Sequence, residues 1–126
     1  MSVDVRPVRR TITQAQLGAY ADASGDHNPI HIDEAFAAGT PFGGTIAHGM
    51  LVLALIGEMM FGAFGARWSA SGRLKVRFKA PARPGDAITA SAEVSGEAGG
   101  RLEYAVRCET VRGETLIEGR ASVEAA

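Results

Sequence analysis

Ile46-Ala47-His48-Gly49-Met50-Leu51-Val52-Leu53-Ala54-Leu55-Ile56-Gly57-Glu58-Met59-Met60-Phe61-Gly62-Ala63-Phe64 is the most apolar stretch of the chain, and its reading decides the fold. Met50, Leu51, Val52, Leu53, Leu55 and Ile56 leave no polar face in its first turns. A helix that is apolar all round must be wrapped by other structure. His48 and Glu58 interrupt the run, which falls short of the ~20 consecutive apolar residues of a membrane span. The expectation is a buried central helix over Ile46 to Phe64, with His48 and Gly49 at its start. There, free N–H groups can meet a partial negative charge.

The wrapping comes from the second half. Leu74, Val76 and Phe78 alternate with Arg73, Lys75, Arg77 and Lys79, a period of two that predicts a strand. Pro81 to Asp86 reads as a turn, with Pro84-Gly85 suited to the central pair of a type II turn. Strands follow over Ala87 to Ser95, Leu102 to Cys108 and Thr115 to Val123, separated by turns at Glu97-Ala98-Gly99-Gly100 and Arg112-Gly113-Glu114. Short connections predict an antiparallel meander. One apolar helix and one antiparallel sheet make an α+β domain with the sheet wrapped around the helix.

Ahead of the central helix, Arg6 to Thr13 reads as a first strand. Thr13 and Gln16 have capping-box spacing and start a helix with Leu17, Tyr20 and Ala21 on its apolar side. Gly25 suits its end, because it tolerates positive φ. The chain then enters Ser24-Gly25-Asp26-His27-Asn28-Pro29-Ile30-His31. Pro29 lacks an N–H and biases Asn28 away from the helical region, so the segment turns. Such a turn can bring Asp26 and His31 to one point. A carboxylate beside an imidazole can hold a water and exchange protons with it. The plainer reading is an Asp/Asn/Pro loop that satisfies its own backbone, and spacing alone leaves both open. Asn28 braces the turn through its side chain. Asp33 can cap a short helix from Glu34 to Ala38, stopped by Gly39.

Composition narrows the function classes. The chain has 126 residues, 46% hydrophobic and 21% charged, which predicts one folded domain over residues 1–126. Thirteen basic against fourteen acidic residues give a net charge of -1, so nothing global points to nucleic acid or an anionic membrane. Met1 to Pro7 has no apolar core for a secretory signal. The one cysteine, Cys108, has no internal partner, which fits a reducing, cytoplasmic compartment.

Two segments carry a family resemblance. Tyr20-Ala21-Asp22-Ala23-Ser24-Gly25-Asp26-His27-Asn28-Pro29-Ile30-His31 resembles the signature of the MaoC-like, (R)-specific enoyl-CoA hydratases and 3-hydroxyacyl dehydratases, which have the hotdog fold. Phe42-Gly43-Gly44-Thr45-Ile46-Ala47-His48-Gly49-Met50-Leu51 resembles that family's entry into its central helix, and Pro84-Gly85-Asp86 matches a later turn. The likeness runs in order along nearly the whole chain. It implies reversible addition of water to a trans-2-enoyl thioester, giving the (R)-3-hydroxyacyl thioester. Asp26 and His31 would be the acid/base pair that binds the water. The Gly49 N–H would be the donor to the thioester carbonyl, where charge develops. No metal or organic cofactor is implied; coenzyme A or acyl carrier protein is the substrate's carrier. Gly57 stands where some members have a serine that helps order the site. Thr45 stands where many have proline, and it can cap the helix.

Other readings are weighed against this one. The same residues would serve dehydration of 3-hydroxyacyl groups on acyl carrier protein. A non-catalytic subunit of a heteromeric dehydratase would be expected to have lost Asp26 or His31, and both are present. Thioester hydrolysis needs water at the carbonyl carbon, and Asp-x-Asn-Pro-Ile-His argues against it. Asp22, Asp26, His27, His31 and His48 have metal-binding chemistry but no metal-site spacing. His27 is expected to point out of the turn. His48 is expected to bond near the helix start or line the pocket. The Arg73-Lys75-Arg77-Lys79 stripe is a solvated sheet face, or with Arg83 a contact for carrier phosphates. Met59 and Met60 belong to the core or, with Met50 and Phe61, to a dimer contact or acyl tunnel. A long sheet edge and one open helix side predict a homodimer.

Overall fold

A computed structural model describes residues 3–126; Met1 and Ser2, the start of the stretch read as lacking a signal core, lie outside the described residues. The elements run β1 (Val8–Thr11), α1 (Gln14–Ser24), α2 (Pro29–Ile32), α3 (Glu34–Ala38), α4 (Gly49–Phe64), α5 (Ala66–Ser71), β2 (Arg73–Phe78), β3 (Ala87–Ala98), β4 (Arg101–Thr110) and β5 (Thr115–Glu124). The five strands form one antiparallel sheet in the order β1-β3-β4-β5-β2.

The fold is α+β, with α4 packed on the sheet. Alternation places Leu102, Tyr104, Val106 and Cys108 on the inner face, and all four are buried. From α4 they meet Val52, Leu55, Ile56, Met59 and Met60, spaced one helical face apart. Fully burying one such side chain contributes ~1.5–3 kcal/mol. The chain covers only that face. Met50 and Phe61, on the other side of α4, are each more than half exposed.

The sheet departs from a simple meander. Only β3, β4 and β5 run in sequence; β2 lies beyond β5 at the far edge. The proline-bearing link after β2 does not close a hairpin. Lys79 and Ala80 N–H both donate to the Leu116 carbonyl, and the chain then crosses to Ile12, whose carbonyl accepts from Gly85 N–H at 2.7 Å. Its Pro84-Gly85 turn forms as expected, with Gly85 at φ +97° and Asp86 N–H bonded to the Arg83 carbonyl. Gly119 lets β2 approach β5: a Cβ there would lie 2.1 Å from the Lys75 carbonyl oxygen.

Helix boundaries also differ. The Thr13/Gln16 capping box starts α1, and Gly25 ends it at φ +80°. The turn after it winds into the one-turn helix α2, with Pro29 in its first turn, where no N–H is needed. Asp33 caps α3 through Phe36 N–H, as expected. The central helix begins at Gly49, not Ile46. Ile46 N–H goes instead to the Ile30 carbonyl and Ala47 N–H to the Ala82 carbonyl, so the approach stays extended. Thr45 is accordingly no helix cap; its buried hydroxyl donates to Gln14 Oε1 at 2.6 Å. Strand β1 is shorter than Arg6 to Thr13, and β3 runs on to Ala98 through an irregularity between Val94 and Gly96. Helix α5, which follows a break at Gly65, had no counterpart in the sequence reading.

Candidate active site

The segment between α1 and α4 folds back on the start of α4. Asp26 lies in the loop after Gly25, and His31 lies on α2. Asn28 caps α2: its Oδ1 accepts from Ile30 N–H at 3.1 Å. Asp26 Oδ1 accepts from Asn28 N–H at 3.2 Å, and Asp26 N–H donates to Ser24 Oγ at 3.1 Å. These short-range bonds orient the carboxylate within its own loop.

His31 is aimed from the other side. Its Nδ1 lies 2.7 Å from the Ile46 carbonyl. A carbonyl only accepts, so Nδ1 carries the hydrogen and the neutral ring presents Nε2 as a lone pair. Nε2 faces Asp26 Oδ2 at 3.8 Å, too long for a direct hydrogen bond. One oxygen can lie about 2.8 Å from both groups, the distance of a shared water. The His31 side chain is 12% exposed and that of Asp26 53%. Gln14 steadies this arrangement. Its Nε2 donates to the His31 carbonyl at 2.9 Å while its Oε1 receives Thr45.

Gly49 opens α4 just after His48, and its N–H meets no acceptor among the described residues. The Phe78 ring comes within 3.0 Å of where a Cβ on Gly49 would stand, so a side chain there would press on it. At Gly57 a Cβ would meet nothing within 4 Å, so the missing serine is an absent donor and not a filled space.

His48 is where sequence reasoning fell short. It was read as a neighbour of the site, and it is built into it. The residue is 2% exposed, and its ring stacks on His31 with centroids 3.8 Å apart and planes at 24°. Its Nε2–H donates to the Asp26 carbonyl at 3.0 Å, leaving Nδ1 buried with no partner among the described residues. A buried polar atom without a partner costs ~1–3 kcal/mol. The one available signal was a histidine set in an apolar helix start.

His27 points outward as expected and pairs with Asp22 at 3.0 Å. The Asp22 carboxylate bonded to its ring raises the His27 pKa above 6.5. Of the metal candidates, Asp26, His31 and His48 bring ligand atoms within 4.8 Å of one another. His31 Nδ1 and His48 Nε2 are each taken by a carbonyl, and stacked rings set their nitrogens side by side. This is not the convergent tetrahedral set that holds zinc. A concavity of about 520 Å³ lies elsewhere, on the outer sheet face among Lys75, Arg77, Arg107 and Arg120. It is remote from the Asp–His pair. Of the basic stripe, Lys79 pairs with Glu118 at 3.4 Å, and Arg83 bonds the Phe42 carbonyl.

An antiparallel sheet around one helix, with an acid/base pair poised at that helix's start, defines a hotdog-fold protein with a water-handling site. The chain belongs to the family of the MaoC like domain, whose model matches residues 3–115. It is 36% identical over 120 residues to an (R)-specific enoyl-CoA hydratase of Rhodospirillum rubrum, covering 90% of this chain and 80% of that one. It is 42% identical over 90 residues to the 3-hydroxyacyl-thioester dehydratase Z of Mycobacterium tuberculosis, covering 68% of this chain but only 60% of that protein. The solved (R)-hydratase from A. caviae superposes with a TM-score of 0.86 at 28% identity, over 100% of this chain and 98% of that one.

Proposed function

We propose that this protein is a hydro-lyase that adds water reversibly to trans-2-enoyl-CoA, giving (R)-3-hydroxyacyl-CoA. The observation that carries the reading is Asp26 and His31 facing each other at 3.8 Å beside the start of α4. A water between them can be oriented by the carboxylate and lose a proton to one of the two groups as its oxygen attacks the β-carbon. Charge then moves onto the thioester oxygen, and the Gly49 N–H, at the positive end of α4, is placed to receive it. Protonation at the α-carbon completes the addition, and the reverse sequence dehydrates. Every step uses groups of this chain, so we propose neither metal nor organic cofactor. Cys108, buried and unpaired, accords with a reducing cytoplasm.

We place the active form in a homodimer. The exposed side chains of Met50, Phe61 and Phe78 and the free edge of β2 are surfaces a second copy would cover.

Loss of the enoyl-thioester absorbance with crotonyl-CoA, with chiral analysis of the product, is the test. Wild type should yield the (R)-alcohol, and Asp26→Asn and His31→Ala should each lose ~10²–10⁴-fold in kcat. Activity that survives both substitutions would sink the assignment. Turnover only of carrier-protein substrates would keep the chemistry and change the carrier. Folded wild type inert on short and long acyl-CoA and on carrier-protein substrates would overturn the reading.

A further inference from the structure

We propose that His48 is a positioning residue that holds Asp26 and His31 in register from inside the protein. Its kinetic consequence rests on the hydration reading above; its geometry does not. Its contacts reach every part proposed to act. The ring donates to the Asp26 carbonyl at 3.0 Å and stacks on His31 at 3.8 Å. Tyr20 leans on it at 4.8 Å. Its own carbonyl accepts from Leu51 and Val52 N–H, which fixes the first turn of α4 and with it Gly49.

Asp26 needs such a hold. Its other hydrogen bonds reach only Ser24 and Asn28, within an exposed loop. The bond from His48, 22 residues away, is the one that ties that loop to α4. A carboxylate opposite His31 keeps its place only if the peptide beneath it is fixed. The stack does the same for His31, whose ring plane decides where Nε2 points.

The unpartnered Nδ1 sharpens the inference. For stability alone a phenyl ring would serve better at this position, because it fills the same space with no buried acceptor. A histidine here is explained by its donor.

His48→Phe and His48→Gln separate the two roles. Phenylalanine keeps a ring on His31 and loses the donor; glutamine keeps a donor near the Asp26 carbonyl. His48→Phe should melt no lower than wild type, yet lose about 10–100-fold in kcat with little change in KM, the scale expected of a displaced reacting group. His48→Gln should recover most of that loss. Unchanged kcat in His48→Phe, parallel loss of stability and activity, or no recovery in His48→Gln would each overturn the proposal. Nitrogen-15 NMR of wild type gives a test that needs no variant. His48 should be the Nε2–H tautomer with its ring proton exchanging slowly, and an Nδ1–H tautomer would overturn the proposal even if the protein were inert on every thioester. Inertness with the expected tautomer would sink the hydration reading alone.

Discussion

His31 meets the site with a single nitrogen, because the Ile46 carbonyl occupies the other. A proton can be taken or given only at Nε2, on the side where Asp26 stands. His27, four residues earlier, shows the contrast. It shares the turn but points to solvent and to Asp22, whose carboxylate raises its pKa above 6.5. The sign follows directly. A raised folded-state pKa stabilises the fold fully below the unfolded value, and that contribution is lost as pH rises through the folded one. In an NMR titration His27 should therefore turn over above 6.5, and Asp22→Asn should bring it back down. No movement in that variant would mean another group holds the proton. Of these residues, Asp26, His31, Asn28 and Gly49 were legible in the sequence, because a proline-broken turn and a helix start are local features. Gln14 was not. It meets Thr45 across 31 residues, and no local pattern encodes such a bond.

Elements whose cause is local matched their reading. The Thr13/Gln16 box, the Asp33 cap and the Pro84-Gly85 turn are each settled within four residues. Elements set by long-range contacts shifted. The start of α4 moved from Ile46 to Gly49 because Ile30 and Ala82 carbonyls claimed the preceding N–H groups. Strand β2 left its neighbour in sequence for β5, and alternation cannot report a partner. The β2–β5 pairing turns on Gly119, opposite Val76. Gly119→Ala should destabilise by at least ~1–3 kcal/mol, since the obstructing atoms are backbone and cannot swing aside. Urea unfolding monitored at Trp68 measures this, and a midpoint equal to wild type would show that the two strands can separate without cost.

At the scale of the whole molecule, α4 is apolar all round yet covered by its own chain on one side. Met50 and Phe61 face outward beside the open edge of β2. Light scattering should give the mass of two chains, and Phe61→Asp should shift it toward one. A wild-type mass of one chain would remove the dimer from the account. The sheet beyond these surfaces plays a different part from the turn region. Asp26, His31, His48 and Gly49 all fall within one continuous stretch, ahead of β2, β3, β4 and β5. Reactivity and enclosure are therefore written one after the other along the chain. The reactive stretch can be transplanted as a cassette, while the later strands are free to vary the shape of the vessel around it.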